Sequence, residues 1–453
     1  QMSVINIDGN TITTRTFNDS LPGPMVRVRP GDTLRLRLVN NLPLNTDGPP
    51  ADVNIPNHPN TANLHVHGLH VAPTGNSDNA LIEIEPGTQF DYEFQIPADH
   101  PAGTFWYHPH RHGSVATQMF GGMAGPLIIE GGTDDVPEIS AASERVLLFQ
   151  EIRLGDDHQI ITVGSHMFDH DFEFMFAGGS SFSTVNGVLR PEIRMAPGEV
   201  ERWRLLNGNV TQYLNIEIEG HELHLIAWDG ITLAHPLTLQ NLELAPGNRA
   251  DILVKPKSSG AFRVTSSGGG HGGMMTSHGG MGGGMGFSGS ETVAYLTVEG
   301  EPRDMALPEE LLAPGNLMDI DANEITKLRQ LTLSIEAPTA SRLFPRFNMD
   351  GRLFDPTRID HQATLGDVEE WTIRNLSMMD HPIHIHTNPF QVVAINGQNL
   401  QVPRWSDTVN VPAFGSAKIR MRLLDYAGIL PLHCHILTHE DLGMMQLMEI
   451  GAS

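Results

Sequence analysis

The stretch PLHCHILTHEDLGMM, residues 431–445, contains the only cysteine of the chain together with three histidines and two methionines. One thiolate, two imidazoles and a weakly held thioether form the trigonal, methionine-capped ligand set that selects electron-transfer copper. Cys434, His439 and Met444 supply three of these ligands, and His381 supplies the second imidazole. Structural zinc sites usually contain more thiolates and no methionine, so the composition of the stretch favours copper over zinc.

Ten of the 23 histidines lie in four tight clusters. These are His65 and His67; His108 and His110; His381, His384 and His386; and His433, His435 and His439. On a strand, the two imidazoles of an H-x-H pair point to the same face and can bind one metal ion or two adjacent ones. The first two clusters lie in the first third of the chain and the last two in the last third. We therefore expect eight imidazoles to converge where the terminal domains pack, with the middle domain as a spacer.

The alternation of a strand also separates Cys434 from the histidines on either side of it. His433 and His435 point away from the face that carries Cys434, so they can bind a second metal site. A single cysteine would then join an electron-accepting copper to a polynuclear cluster through a few covalent bonds.

An internal repeat predicts the fold. The segments 17–43, 184–209 and 347–377 each contain an Asn or Asp near a Gly, a strand, a glycine turn and an alternating strand ending in Asn. A second element recurs downstream as PGTQFDYEFQIP, APGNRADILVKP and VPAFGSAKIRMRL. Apolar and polar residues alternate in these strands, and helical periodicity is nearly absent. The pattern predicts three antiparallel β-sandwiches in tandem, with boundaries near 135–142 and 300–325.

Composition limits the classes of function. The formal net charge of −25 argues against nucleic acid as a partner and favours cationic or metal partners. No apolar run approaches the length of a membrane span, so we expect no membrane partner. One cysteine cannot form an internal disulfide. Because Gln1 is not an initiator, we expect that a signal peptide has been removed and that the protein is periplasmic or secreted.

In their order, the four clusters resemble the signature of the three-domain multicopper oxidases, the family of the laccases and the bacterial cuprous oxidase. The likeness covers essentially the whole chain. It implies an all-β fold of three tandem cupredoxin-like Greek-key β-sandwich domains, at residues 1–138, 139–302 and 303–453. It also implies four copper ions: one type 1, one type 2 and a type 3 pair.

The resemblance assigns the ligands residue by residue. Type 1 copper is assigned to His381, Cys434 and His439 with Met444 axial, type 2 copper to His65 and His384, and the type 3 pair to His67, His108, His110, His386, His433 and His435. Electrons from four one-electron oxidations would then reduce dioxygen to two waters. The four protons that this needs call for carboxylates, and Asp78 and Glu440 match acidic residues that similar enzymes place near the cluster. A solvated turn residue is the alternative interpretation of Glu440.

The reductant is left open by the sequence. A laccase-type oxidation of phenols or aromatic amines needs an exposed edge of His381, and Asp380 could accept a proton or hydrogen bond from such a substrate. A cuprous oxidase presents methionines to Cu(I), and Met379 matches a substrate-binding methionine of that enzyme. The glycine- and methionine-rich loop 268–289 of the second domain is either a Cu(I) collector or a linker. We expect a monomeric laccase-type oxidase, with cuprous oxidase as the alternative and a non-catalytic copper-binding protein as a remote one.

Overall fold

The computed structural model describes residues 1–452 except 47, 49, 155–179, 269–289, 340 and 343. Nearly the whole loop 268–289 therefore lies outside the described residues. Strands dominate the described chain, and its helices are short. None of the described helices combines the length and apolar character needed to cross a membrane.

The N-terminal third forms a four-stranded sheet of order β3-β8-β7-β5 beside two two-stranded sheets, β1-β2 and β4-β6. Its strands are β1 Met2–Ile7, β2 Asn10–Arg15, β3 Val26–Val28, β4 Thr33–Val39, β5 His65–His67, β6 Gln89–Gln95, β7 Gly103–His108 and β8 Gly125–Ile129. Side chains of β3 to β8, including Val66, Phe94 and Leu127, form one hydrophobic core.

The middle third packs a seven-stranded sheet of order β11-β10-β9-β13-β18-β15-β16 on a five-stranded sheet of order β12-β20-β19-β14-β17 around a second core. Its strands are β9 Ser143–Leu154, β10 Ser180–Val185, β11 Val188–Leu189, β12 Glu192–Met195, β13 Glu201–Asn207, β14 Leu214–Ile218, β15 Leu223–Trp228, β16 Ile231–Leu239, β17 Leu242–Leu244, β18 Arg249–Val254, β19 Gly260–Ser267 and β20 Ser290–Val298.

The C-terminal third packs a six-stranded sheet of order β22-β21-β24-β29-β26-β27 on a five-stranded sheet of order β23-β31-β30-β25-β28 around a third core. Its strands are β21 Lys327–Glu336, β22 Arg346–Met349, β23 His361–Thr364, β24 Val368–Asn375, β25 His381–Ile385, β26 Phe390–Ile395, β27 Gln398–Ser406, β28 Thr408–Val411, β29 Ser416–Arg422, β30 Gly428–Cys434 and β31 Met445–Gly451.

The sequence repeat is confirmed as a structural repeat. Its alternating strand is β4 in the first third, β13 in the second and β24 in the last, and each pairs antiparallel with the downstream element, β6, β18 or β29. In β29 every second residue is buried, as the alternation predicts. The all-β fold of tandem sandwiches is thus confirmed, while the exact domain boundaries at 138/139 and 302/303 stay a prediction.

Short helices lie where the three thirds meet. They are α1 Val115–Phe120, α2 Pro137–Ser140 and α3 Leu437–Asp441. A small core joins Trp106 and α1 to Leu148 and Leu206 of the middle third and to Leu437 of α3. This core ties the first and last sandwiches together beside the strands that carry the histidine clusters.

Candidate metal centres

Two antiparallel strand pairs present the clustered histidines. In the first third, β5 pairs with β7 so that His65 lies opposite His108. In the last third, β25 pairs with β30 so that His384 lies opposite His433. Because cross-strand neighbours lie about 5 Å apart, each pairing brings two of the histidine clusters together within one third of the chain.

The two strand pairs meet face to face, and their imidazoles interleave. The ring centroids of His65 and His386 are 3.9 Å apart, and those of His67 and His384 are 3.8 Å apart, both in stacked geometry. His435 completes the group, with its ring 4.8 Å from that of His67. The eight imidazoles are buried and come from the first and last thirds of the chain, as the sequence predicted.

Three imidazole nitrogens of this cluster point at a common centre. The Nε2 atom of His110 lies 3.0 Å from that of His386 and 3.0 Å from that of His433, and the last two are 3.3 Å apart. Three nitrogens bound to one metal ion at about 2 Å would be separated by about 3.3 to 3.5 Å. Such an approach of lone pairs is unfavourable without a cation, so the arrangement fits a metal ion.

Buried ring nitrogens without a hydrogen-bond partner also indicate a metal site. His65 Nε2, His384 Nε2 and both ring nitrogens of His435 are buried without a hydrogen-bond partner among the described residues. Burial, together with the neighbouring imidazoles, lowers the pKa of His65 and His435 well below the usual value. Neutral imidazoles with a free lone pair are the form that binds transition metals.

In three rings of the cluster, one nitrogen has a protein partner. His65 Nδ1 contacts Asp78 at 2.9 Å, His67 Nε2 contacts Asp407 at 3.0 Å, and His384 Nδ1 contacts the carbonyl oxygen of Asp407 at 2.8 Å. Such partners choose the tautomer and hold the ring plane. They leave His65 Nε2, His67 Nδ1 and His384 Nε2 for the cluster.

Asp78 is buried beside His65, and its Oδ1 also accepts the backbone N–H of Val66 at 3.1 Å. Its Oδ2 lies 3.9 Å from His386 Nδ1, so the carboxyl lies close to a second ring of the cluster. Burial raises the pKa of Asp78 to about 8 despite the hydrogen bond from Val66. The carboxyl can therefore hold a proton near neutral pH, and a bound metal cation would make that proton more acidic.

Glu440 is fully buried, so its interpretation as a solvated turn residue is wrong. Its Oε2 lies 3.0 Å from His433 Nδ1 and its Oε1 3.6 Å from His110 Nδ1. Neither contact is a hydrogen bond, since both carboxyl oxygens of Glu440 are buried without a hydrogen-bond partner among the described residues, and His433 Nδ1 lies 3.1 Å from the carbonyl oxygen of Cys434. Burial raises the pKa of Glu440 to about 7.

A second site lies on the other face of β30. Cys434 Sγ is 3.5 Å from His381 Nδ1 and 3.7 Å from His439 Nδ1, and the two nitrogens are 3.3 Å apart. Ligands about 2.0 to 2.3 Å from a trigonal metal ion would be about 3.5 to 3.8 Å apart. The two sulfur–nitrogen distances lie in this range, and the nitrogen–nitrogen distance is slightly shorter. Met444 is buried beside them; its N–H donates to the His439 carbonyl, and its carbonyl accepts from Cys434 N–H. The residues therefore fit a single copper ion.

The surroundings of His381 differ from the expectation of an exposed edge. His381 has an exposed fraction of 0%, and its Nε2 lies 2.8 Å from the hydroxyl of Ser377. Asp380 is also buried; it accepts from the Asn410 side chain at 3.1 Å and from Ala413 N–H at 2.8 Å. Asp380 is thus an anchor of the local backbone, and neither it nor His381 offers a surface to a substrate.

Exposed apolar side chains surround this position instead. Met378 is 53% exposed, Met379 is partly buried, and Leu376 and Phe414 are 61% and 73% exposed. Phe414 N–H donates to the Ser377 carbonyl at 3.0 Å, which places it next to the segment before His381. These three exposed residues, Leu376, Met378 and Phe414, are called the apolar patch below.

Sequence reasoning missed Asp407 and its partner Arg249. Asp407 lies on the bend between β27 and β28, and Arg249 begins β18 of the middle third. No local spacing links them to a histidine cluster. The only available signal was that APGNRADILVKP carries an arginine at the start of its strand, where its counterparts carry other residues.

Comparisons with known proteins agree with this geometry. Multicopper oxidase family domains match residues 325–452, 164–283, and 1–47 with 46–134. The chain therefore belongs to the multicopper oxidase family, and it is an oxidase that binds copper.

Individual relatives span nearly the whole chain. A multicopper oxidase of Staphylococcus aureus is 25% identical over 98% of this chain and 85% of its own length. A laccase of Haloferax volcanii is 25% identical over 95% of this chain and 76% of its own. A multicopper oxidase from Campylobacter jejuni, described as a metallo-oxidase, superimposes with a TM-score of 0.80 at 27% identity, covering 100% of this chain and 91% of that one.

Proposed function

We propose that the two centres hold four copper ions in the arrangement that the resemblance implies. The proposed ligands are His381, Cys434, His439 and axial Met444 for type 1 copper; His65 and His384 for type 2; and His67, His108, His110, His386, His433 and His435 for the type 3 pair. The observation that carries this proposal is that buried atoms with lone pairs converge in two places. The Nε2 atoms of His110, His386 and His433 lie 3.0–3.3 Å from one another. Cys434 Sγ and the Nδ1 atoms of His381 and His439 lie 3.3–3.7 Å from one another.

Bound copper would supply one-electron acceptance at the Cys434 centre and reduction of dioxygen to water at the histidine cluster. The chain connects the two centres covalently, because His433 and His435 flank Cys434, the last residue of β30. Asp78 holds His65 and can carry a proton within reach of the cluster. Glu440 lies between His110 and His433 and can supply another.

The proposed reductants are phenols, aromatic amines or similar small molecules. The apolar patch is adjacent to the backbone that leads into His381, and it offers exposed apolar side chains against which an aromatic ring can pack. Because His381 is buried, electrons would enter through the Ser377–His381 hydrogen bond rather than by direct contact with the imidazole. Asp380 is committed to Asn410 and Ala413, so a phenol would lose its proton to solvent.

Cuprous oxidation is the second candidate function, and one observation favours it. Met378 exposes a thioether in the apolar patch, and the next residue, the partly buried Met379, is the one that matches a substrate-binding methionine of the cuprous oxidase. Thioethers bind the soft Cu(I) ion well. In that case Cu(I) would be a substrate that docks beside the type 1 centre and gives up one electron there.

Oxygen uptake by the copper-loaded protein tests the proposal, with Cu(I) and a simple phenol as separate reductants. Met378→Leu removes the thioether and keeps an apolar side chain of similar size. Met318→Leu is the matched control, because Met318 is a similarly exposed methionine outside the patch. For a laccase-type oxidase, we expect phenol-driven uptake that Met378→Leu leaves unchanged.

The other outcomes separate the alternatives. A selective loss of Cu(I)-driven uptake in Met378→Leu, with no loss in Met318→Leu and slow turnover of phenol, would establish the cuprous oxidase instead. No uptake with either reductant would support a non-catalytic copper-binding protein. The periplasmic or secreted location and the monomeric state stay predictions.

A further inference from the structure

The middle third contributes no H-x-H pair, yet one of its arginines is buried beside the histidine cluster. Arg249, the first residue of β18, has no exposed surface. Its Nε donates to the Thr104 carbonyl at 3.2 Å, and its Nη1 donates to the Gly247 carbonyl at 3.1 Å. Gly247 itself lies so close to the cluster that a Cβ there would be 2.9 Å from the His435 ring. The middle third is therefore in direct contact with the cluster.

Arg249 forms a two-pronged ion pair with Asp407 of the last third. Its Nη1 donates to Asp407 Oδ1 at 2.8 Å and its Nη2 to Asp407 Oδ2 at 2.6 Å. A parallel arginine–carboxylate pair fixes the plane of the carboxylate as well as its position. Gly68 leaves room for the pair, since a Cβ at that position would lie 2.5 Å from both Arg249 Nη2 and Asp407 Oδ2.

The carboxylate held in this way contacts the cluster. Asp407 Oδ1 accepts from His67 Nε2 at 3.0 Å and from the Thr408 hydroxyl at 2.9 Å. The backbone carbonyl of the same residue accepts from His384 Nδ1 at 2.8 Å. One residue thus orients a ring from the first third and a ring from the last third.

We propose that Arg249 is a positioning residue for the copper cluster, acting through Asp407 on His67 and His384. The ion pair keeps Asp407 Oδ1 in place as an acceptor, so His67 keeps its proton on Nε2 and presents Nδ1 to the metal. The same ion pair holds the Asp407 carbonyl against His384, which leaves His384 Nε2 free. The middle domain is then an active part of the metal site and not only a spacer. This inference rests on the proposed ligand assignment of His67 and His384.

A purely structural role is the competing explanation, because Arg249 also ties the middle third to the last. Arg202 provides the matched comparison. It lies on β13, the strand that pairs with β18; it is also buried, and it binds Asp251 through Nε at 3.2 Å and Nη2 at 2.6 Å. Neither Arg202 nor Asp251 contacts a cluster histidine in the hydrogen bonds of the described residues.

The test compares Arg249→Lys with Arg202→Lys, both copper-loaded. Lysine keeps the positive charge but cannot form the two parallel bonds. In Arg249→Lys we expect an unchanged blue absorption band and an unchanged rate of type 1 reduction under anaerobic conditions. We also expect an altered electron paramagnetic resonance signal of type 2 copper and a reoxidation by dioxygen that is slower by about 10- to 100-fold, as for other partners of metal-binding histidines. Arg202→Lys should match the wild type in all four measurements.

Two results would overturn the inference. One is a wild-type type 2 signal and wild-type reoxidation in Arg249→Lys; the other is an equal change in both arginine variants, which would show a general packing effect. If Arg249→Lys does not fold, the neutral pair Arg249→Gln with Asp407→Asn replaces it, because that pair leaves no unpaired charge at position 407. The same spectral changes are then expected. A wild-type protein without blue band or type 2 signal would instead refute the proposed copper assignment itself.

Discussion

Replacing Ser377 by alanine tests whether the hydroxyl of this residue tunes the type 1 centre. Ser377 donates its own proton to Asn375 Oδ1 at 2.8 Å, which leaves its oxygen as an acceptor for His381 Nε2 at 2.8 Å. With Nδ1 bound to copper, His381 carries its proton on Nε2 and donates it to this oxygen. The hydrogen bond draws positive charge away from the ring, so it stabilises the oxidised centre more than the reduced one.

The size of the effect follows from the energy of that hydrogen bond. A buried hydrogen bond contributes about 1 kcal/mol, and one that involves a charged partner about twice as much. A difference of about 1 kcal/mol between the two oxidation states corresponds to about 40 mV for a one-electron couple. We therefore expect Ser377→Ala to raise the type 1 reduction potential by about 40 mV. The buried N–H left without a partner should also lower the free energy of unfolding by about 1–3 kcal/mol.

Redox titration of the blue absorption band measures the potential, and thermal unfolding measures the stability. Ser377→Thr is the control, since it keeps the hydroxyl and should stay close to the wild-type potential. An unchanged potential in Ser377→Ala, or a shift to lower values, would refute the proposed charge distribution. An equal shift in Ser377→Thr would show that packing, and not the hydrogen bond, sets the potential.

Three further predictions concern the two centres. Cys434→Ser should abolish both the blue absorption and electron uptake, as read by absorption and anaerobic reduction; retention of either would exclude Cys434 as the type 1 ligand. Asp78→Asn should slow oxygen reduction and keep the blue band, because a proton carrier beside His65 is lost; stopped-flow reoxidation at a wild-type rate would contradict this. In the copper-free protein, burial lowers the pKa of His110 to about 4 and that of His381 to about 3, from 6.5. The unfolded state therefore takes up these protons first as the pH falls below about 6.5, and the free energy of unfolding should drop by about 1.4 kcal/mol per pH unit for each such histidine. The raised pKa values of the buried carboxyls Asp78, Glu440 and Asp441 act in the opposite direction, but the buried histidines with lowered pKa values outnumber them. Thermal unfolding between pH 7 and 5 measures the net loss, and a constant melting temperature would refute it.

Much of the fold could be predicted because the signals are local. Alternation in segments such as KIRMRL determines which side chains of a strand face the core, and in β29 they are the buried ones. The recurrence of the same strand, turn and strand in three places predicted three related sandwiches. H-x-H spacing works in the same way: it puts two rings on one face whatever surrounds the strand.

Contacts between distant segments could not be predicted in this way. The sequence around Glu440 leaves two interpretations, an acidic residue near the cluster or a solvated turn residue; only the packing of α3 against α1 encloses the carboxyl with His110 and His433. Asp380 reads as a substrate acceptor until β28 brings Asn410 to it. Residues 269–289 lie outside the described part of the chain. The two interpretations of the loop 268–289, a Cu(I) collector or a linker, therefore stay predictions.

The sequence by itself predicted the all-β repeat, a copper-type set of candidate ligands and the division of Cys434 from its flanking histidines, because covalent spacing along a strand dictates which side chains share a face. Only the tertiary structure decided what holds and covers those ligands. Arg249 and Asp407 are 158 residues apart in the chain, and Arg249 reaches Asp407 only because the middle sandwich packs against the last. Such contacts follow from the packing of whole sheets, which no short stretch of sequence encodes.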